Sequence, residues 1–540
     1  MTDAAAAPEP TTGDARGLIL DGRASLGIEL GSTRIKACLV GGPSSTVLAT
    51  GSHEWENRFE DRMWTYSLDD VHAGLQAAVA DLVAQVRRRY GVAPTTLAGI
   101  GVSAMMHGYL AFDTDGKLLV PFRTWRNTTT GRAAAALSDS FGENIPMRWS
   151  IAHLYQAALD EEPHVPRIAS LTTLAGYVHR RLTGRNVLGV GDASGMFPID
   201  STTATYDAEL LSRFDALVAD RVPWRRVADL LPEVLVAGRP AGALTDEGAA
   251  LLDPTGTLRP GAVACPPEGD AGTGMVATNA VAPREGNISV GTSVFAMVVL
   301  EGPLQQAHEE LDLVTTPAGD PVAMVHCNNG ASELSAWASL FGRFAAAAGT
   351  PLEPDAVFDV LLREALTGEA DAGGLLAYNL LSGEPVVGLH EGRPLVVRTP
   401  DSRFTLANLI RAQVYGVFGA LSLGMRVLAA EGVRLERLFA HGGLFRTRGV
   451  AEGFLAAALA TPVTVGESAA EGGPWGMAVL AAYAASGAEV DLATYLGEQV
   501  FAGAATRTTD PEPADVTAFA EYLGRYEAGL AVERAAVTAL

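Results

Sequence analysis

The sequence predicts an α/β protein built from two domains, and two observations carry that prediction. Apolar strands and amphipathic helices alternate along the chain instead of segregating into blocks. One local pattern also occurs twice: an apolar strand, a glycine with hydroxyl residues, then a second apolar strand. It appears as LGIELGSTRIKACLV at 26–40 and as GNISVGTSVFAMVVL at 286–300. Two such hairpins suggest duplicated halves with a cleft between them, although glycine hairpins are common and coincidence explains the echo equally well. The chain has 540 residues, enough for two full cores, and a formal net charge of −23. That charge argues against a general nucleic-acid surface and for a cytoplasmic protein, while leaving room for an anion bound locally by backbone amides.

The elements follow in order. MTDAAAAPEPTTGDARG reads as a disordered tail, with neither the basic start nor the apolar core of a signal peptide. From about residue 24 come strand, turn and strand, then a third strand in STVLATGSHEW. LDDVHAGLQAAVADLVAQVRRRYG, 68–91, has helical spacing, acids early, arginines late and a closing glycine. LAGIGVSAM is a buried strand, and HGYLAFDTDGKLLVPFRTWRN is strand, Asp-Gly turn and strand. Residues 131–185 read as mainly helical, and NVLGVGDASGMFPID as a glycine-punctuated loop. The second unit opens near 284 and continues through a helix at 406–432, a strand and glycine turn in RLFAHGGLF, and a further helix. No stretch has the uninterrupted apolar length of a membrane span. Cys38, Cys265 and Cys327 are scattered and read as small buried hydrophobes, not a disulfide or zinc set.

Four stretches carry candidate chemistry. At Gly31, Ser32 and Thr33 a tight turn can expose amides and hydroxyls to phosphate oxygens, but an ordinary hairpin turn accounts for the same residues. It is not a P-loop, since no GxxxxGK[ST] is present. Glu29, between Ile28 and Leu30, can hold a hydrated Mg²⁺ or be the polar face of a strand; Lys36 can serve the same site or simply face solvent. In PPEGDAGTGMVAT, 266–278, Asp270 sits among small residues. It can take a proton from an alcohol attacking phosphorus, or cap the helix that follows. In MMHGY, His107 can donate to a polyol, although a structurally satisfied histidine is the commoner outcome. Trp125, Arg126 and Asn127 offer a stacking face with polar groups, or a core tryptophan. HGGLF at 441–445 and EGGPWGMAVLAA at 471–482 place glycine turns before helices, suited to a flat base or to helix packing alone.

In this order the motifs resemble the FGGY carbohydrate kinases, of the actin, hexokinase and heat-shock chaperone superfamily, from about residue 26 to 485. GIELGSTRIKACLV is similar to the first phosphate motif and ISVGTSVF to the second. VSAMMHGYLAFD resembles the sugar-contacting strand of xylulokinases, and TWRN a Trp-Asn/Gln-Asp sugar motif. LTTLAGYVHRRLTGRNVLGVGDASGMFPID and NLLSGEP resemble further family turns, while HGGLF and GGPWGMA resemble the adenosine-site glycines. The resemblance implies two ribonuclease H-like (actin-like ATPase) domains with an inter-domain cleft: residues 24–283, and residues 284–540, whose last helices are free to pack back on the first domain, after a disordered tail at 1–23. It implies Asp270 as catalytic base. Met106, His107, Trp125, Arg126, Asn127 and Asp270 would meet the sugar. Gly31, Ser32, Thr33, Lys36, Gly291, Thr292, Ser293, Gly442, Gly443 and Gly473 would meet ATP, with Mg²⁺ held by Asp270 and, through water, by Glu29. The implied partners are a sugar and ATP, with no nucleic acid and no membrane, and a homodimer is left open.

The implied reaction is phosphorylation of a ketopentose, D-xylulose first. Another FGGY substrate (ribulose, gluconate or a deoxyketose) and a non-catalytic nucleotide sensor are the alternatives. The Met-His pair favours xylulose or gluconate over glycerol. Three departures from the family pattern stand out. Glu29 occupies a position where the family usually has Asp. Arg126 and Asn127 replace an amide and an aspartate, which points to a more acidic sugar. Arg398 lies in a poorly kept domain-two signature.

Overall fold

The computed structural model describes residues 11–466 and 472–540. The chain forms two compact units. The first comprises the chain to Ala282, Leu313–Val322 and Ala469–Ala504; the second comprises Pro283–Asp312, Ala323–Ser468 and Ala505–Leu540. A single cut near 283 therefore does not describe the division, because two later segments group with the first unit.

The sheet of the first unit uses β1 Ser25–Leu30, β2 Arg34–Gly41, β3 Thr46–Glu54, β4 Gly99–Ala104 and the short β5 Val263–Ala264 and β6 Glu268–Gly269. Their order is β5-β4-β1-β2-β3, with β6 also on β4. β1 and β2 form the expected antiparallel hairpin, and β4 lies parallel on the other side of β1. The helix Leu68–Tyr90 starts on an Ser67 cap and ends at Gly91 with φ 69°, as its acids, arginines and glycine imply. The helix Gly473–Ala485 lies on this sheet at backbone contact. A Cβ at Gly27 would stand 2.2 Å from the Pro474 carbonyl oxygen, so β1 needs glycine there. This approach explains why Ala469–Ala504 belongs to the first unit although it is distant in sequence.

The second unit repeats the plan. Its sheet has β7 Glu285–Val290, β8 Val294–Val299, β9 Leu311–Thr315, β10 Pro321–Cys327, β11 Arg437–Gly442, β12 Val463–Gly466 and β13 Thr506–Thr509, in the order β9-β10-β8-β7-β11-β12-β13, with the end of β9 and the start of β10 falling in the segment Leu313–Val322 that groups with the first unit. β7 and β8 are again an antiparallel hairpin, with β11 parallel on the far side of β7. The helix Leu406–Ala430 is long and apolar enough by composition to cross a membrane, but it is the buried core helix of this unit. It carries Asn408, Gln413 and Arg411, the last bonded to Asp515 at 3.0 Å. The three cysteines are free and buried.

The tail at 1–23 is corrected in its second half. Thr12–Leu20 is a helix, because Thr11 and Asp14 close a capping box and Ala15 and Ile19 bury into the first core. The rest of that expectation, residues 1–10, lies outside the described residues.

Candidate active site

The first unit assembles its polar residues at the carboxyl ends of parallel strands, where open α/β sheets bind ligands. In register across the sheet run Lys36, Glu29, Ser103 and Glu268, one from each of β2, β1, β4 and β6. Paired residues project to the same face, so these four form a row. Lys36 Nζ lies 3.3 Å from Glu29 Oε2. Ser103 Oγ is 3.3 Å from Thr273 Oγ1, on the helix Asp270–Ala277. Burial holds the Glu29 carboxyl above its ordinary value, partly offset by Lys36. Gly473 presses on the same group: a Cβ there would stand 2.0 Å from Glu29 Oε1 and 3.3 Å from Thr273 Oγ1. The glycine therefore makes room for the longer acid at position 29.

Asp270 opens its helix but does not cap it; the cap position is Gly269. Its Oδ1 accepts the Met106 amide at 3.3 Å and the Ala271 amide at 3.0 Å. One side of the residue is exposed, yet the protein crowding the other sides, followed by the charge of Glu29, pushes the carboxyl up to about 6. The result is an anchored, partly desolvated carboxylate of the kind that acts as a general base near neutral pH.

Behind it lie two fully buried acids. Glu268 Oε2 accepts the Asp192 amide at 3.0 Å, and Asp192 Oδ2 accepts the Thr173 hydroxyl at 2.6 Å. Burial and mutual repulsion raise Glu268 well above the carboxylate range; burial raises Asp192 to about 7, with a smaller push from Asp270. Glu268 Oε1 and Asp192 Oδ1 have no hydrogen-bond partner among the described residues. Two carboxylates so enclosed cannot both ionise cheaply, so the pair retains a proton. Asp192 lies in the glycine-punctuated loop, and Glu268 stands two residues before Asp270 with no local signal of its own. Nothing local signals that residues 192 and 268 meet.

The turn after β1 is braced from behind. Gly31 O accepts the Trp55 indole at 2.7 Å, Ser32 O the Tyr66 hydroxyl at 2.6 Å, and Thr33 O the Trp55 amide at 3.2 Å. Trp55 and Tyr66 stack at 4.2 Å. With all three carbonyls pinned, the amides and hydroxyls of Ser32 and Thr33 have no partner among the described residues and remain available to an anion. The turn after β7 is built likewise. Gly291 O accepts Ala331 N at 2.8 Å, Thr292 O accepts Gly330 N at 2.7 Å, and Ser293 O accepts Gly291 N at 2.9 Å. Gly442, at φ 118°, pairs with Val290 at the base of that turn, where a Cβ would stand 2.1 Å from the Val290 carbonyl oxygen; Gly443 faces open space.

Two expected sugar contacts need correction. His107, at φ 68°, bonds the Gly195 carbonyl through Nδ1 at 3.0 Å, and its Nε2 accepts Arg148 Nε at 3.2 Å. It is therefore the neutral Nδ1–H tautomer with both nitrogens engaged, and holds Arg148 in place of offering a donor. Asn127 is structural: Oδ1 accepts Trp64 N at 2.8 Å, and Nδ2 donates to Trp64 O at 2.8 Å and Thr124 O at 3.1 Å. It fixes the loop bearing Trp125, which is partly exposed, and Arg126, whose guanidinium lies 4.1 Å over the Trp64 ring. Met106 packs against Gly269, leaving no room for a Cβ there.

For a hydrated divalent cation the fitting donors are Glu29 and Asp270, close enough for one charge to raise the other's carboxyl. No cluster of three acidic, His or Cys groups exists among the described residues, so water would supply most ligands.

The FGGY family of carbohydrate kinases matches through its N-terminal domain at residues 24–256 and its C-terminal domain at 286–485. A curated relative, the xylulose kinase of Haemophilus influenzae, is 21% identical over 437 residues, 77% of this chain and 82% of its own. Xylulose kinase from Rhodospirillum rubrum superposes with a TM-score of 0.76 at 22% identity, covering 94% of this chain and 99% of that one. Gluconate kinase from Lactobacillus acidophilus reaches 0.75 at 17% identity, covering 94% and 98%. These structural likenesses show the fold, with its two actin-like ATPase domains. Both family domains match in order over most of the residues: the chain belongs to the FGGY family of carbohydrate kinases and is a sugar kinase.

Proposed function

We propose that this kinase transfers the γ-phosphate of ATP to a hydroxyl of a ketopentose-type sugar, with D-xylulose the leading substrate. The observation that carries the reading is Asp270, anchored by Met106 N–H, poised at about 6, and set beside Glu29. In this role Asp270 takes the proton of the attacking hydroxyl. Phosphoryl transfer otherwise needs positioning and charge neutralisation, not covalent chemistry. Mg²⁺, held by Asp270 and through water by Glu29, would supply the neutralisation. The open amides of Ser32 and Thr33, and those of Thr292 and Ser293, bind phosphate oxygens. Lys36 favours the charged form of Glu29 against the effect of burial and orients it. Gly442 and Gly443 serve the nucleoside, while Gly473 fixes the position of the Glu29 carboxyl.

Arg126 supports a second reading, a sugar acid. Its guanidinium is clamped on Trp64 and makes no ion pair among the described residues, so it is available to a carboxylate. The test is sugar-dependent ADP release with Mg-ATP across D-xylulose, D- and L-ribulose, gluconate, glycerol and L-fuculose. D-Xylulose should respond, and Asp270→Asn should abolish the response. A response to gluconate alone selects the second reading. Full turnover in Asp270→Asn removes the assigned base.

A further inference from the structure

The NLLSGE segment, 379–384, has no place in the chemistry above, yet Asn379 and Glu384 are buried, and the exposed Leu381 and Ser382 are held through their backbone amides. Asn379 Nδ2 donates to the carbonyls of Asn329 at 3.0 Å and Gly330 at 2.8 Å. Asn329 donates its backbone N–H at 3.2 Å and its Nδ2 at 3.0 Å to one atom, Glu384 Oε2. Asn329 Oδ1 in turn accepts the amides of Leu381 at 2.9 Å and Ser382 at 3.0 Å. The peptide held in this way is the one that bonds the turn after β7. Gly330 N and Ala331 N carry the carbonyls of Thr292 and Gly291. The approach is tight enough that a Cβ at Gly330 would stand 2.4 Å from Gly291 O.

We infer that Asn329, Asn379 and Glu384 are positioning residues for the turn Gly291–Ser293, holding it in the form that leaves the Thr292 and Ser293 amides open to a nucleotide phosphate. The inference rests on the reading of that turn as a phosphate site. A hydrogen-bond chain whose links between Asn379, Asn329 and Glu384 are buried transmits a change at one end to the other, since each orphaned group must find a new partner. Glu384 acts here as an acceptor, so its charge is dispensable and its oxygen is not. Removing the oxygen frees the Asn329 backbone N–H and leaves its Nδ2 with only the Ser382 and Gly383 carbonyls, at 3.2 and 3.4 Å. Removing the Asn379 amide frees two carbonyls next to the turn.

The experiment measures ADP affinity by calorimetry and both KM values for wild type, Glu384→Ala, Asn379→Ala and Glu384→Gln, with thermal unfolding beside them. ADP affinity and KM for ATP should each worsen about tenfold in the two alanine variants, with KM for the sugar within about twofold of wild type. Glu384→Gln should stay within about threefold. Wild-type affinity in both alanine variants overturns the inference, as does an equal loss toward ATP and sugar. If Glu384→Ala does not fold, Asn379→Ala decides. Wild-type protein that binds ADP without turning over any sugar defeats the assigned reaction alone, and the inference is still judged on ADP affinity. Wild-type protein that binds no nucleotide defeats both.

Discussion

Replacing Asp192 with Asn should change how stability depends on pH. Asp192 is fully buried, and its carboxyl moves from 3.8 in the unfolded chain to about 7 when folded. The folded state therefore holds a proton that the unfolded state has already released between those values, and stability falls as pH rises through that window. A difference of about 3, at about 1.4 kcal/mol each, corresponds to ~4 kcal/mol, of which roughly 3 kcal/mol is lost between pH 5 and pH 8. Asn keeps the shape and can still accept the Thr173 hydroxyl, but it never ionises, and it relieves Glu268 of a like charge. The variant should lose roughly 3 kcal/mol less than wild type over that interval. Urea unfolding at pH 5, 6, 7 and 8, followed by tryptophan fluorescence, measures this. The signal favours the relevant unit, because six of the seven tryptophans (Trp55, Trp64, Trp125, Trp149, Trp224 and Trp475) lie in the first. Parallel stability curves for wild type and variant, within about 1 kcal/mol, would refute the shared-proton argument.

Other consequences concern catalysis. The rate with saturating ATP should decline as pH drops through about 6, where Asp270 takes up its proton, and Glu29→Gln should move the limb of the residual rate to lower pH; an unmoved limb would uncouple the two acids. Gly473→Ala should displace the Glu29 carboxyl and lower kcat at least about tenfold. Glu29→Asp in the same chain should recover most of that loss by making room, and steady-state rates of the four combinations decide. Tyr66→Phe removes the bond to Ser32 O while keeping the ring against Trp55, so KM for ATP should rise about three- to tenfold with KM for the sugar unchanged; equal rises in both would show a general loss of structure.

Much of the fold was legible because hairpins and helices announce themselves within a few residues. The two glycine–hydroxyl turns, the helix from Leu68 and the acid at 270 all carry local signals, and all were read. What escaped depends on partners far along the chain. His107 looks like a donor until Gly195 and Arg148 occupy its two nitrogens. Asn127 looks like a sugar ligand until Trp64 takes both ends of its amide. Asp192 and Glu268 stand 76 residues apart and carry no shared motif. The Thr12–Leu20 helix was missed because Ala, Thr and Asp read as tail composition; the capping box was visible, but the burial of Ile19 was not.

The two turns show why a site of this kind must involve more residues than its motif. A turn that binds an anion through its amides has to leave those amides without partners in the free protein, which invites the loop to collapse onto its own carbonyls. Both turns avoid this by giving their carbonyls other donors: all three come from elsewhere at Gly31–Thr33, and two of three at Gly291–Ser293, where Ser293 O takes the Gly291 amide. The units use different donors: an indole, a phenol and one amide at Gly31–Thr33, but mainly neighbouring backbone at Gly291–Ser293, fixed by Asn and Glu side chains. The first brace is aromatic and couples the turn to the hairpin of Trp64, and so to the loop of Arg126. The second is polar, and couples its turn to residues that touch no part of the assigned chemistry. A substitution in either brace should act first on nucleotide affinity, whereas the motif residues themselves give no hint of which distant positions share that duty.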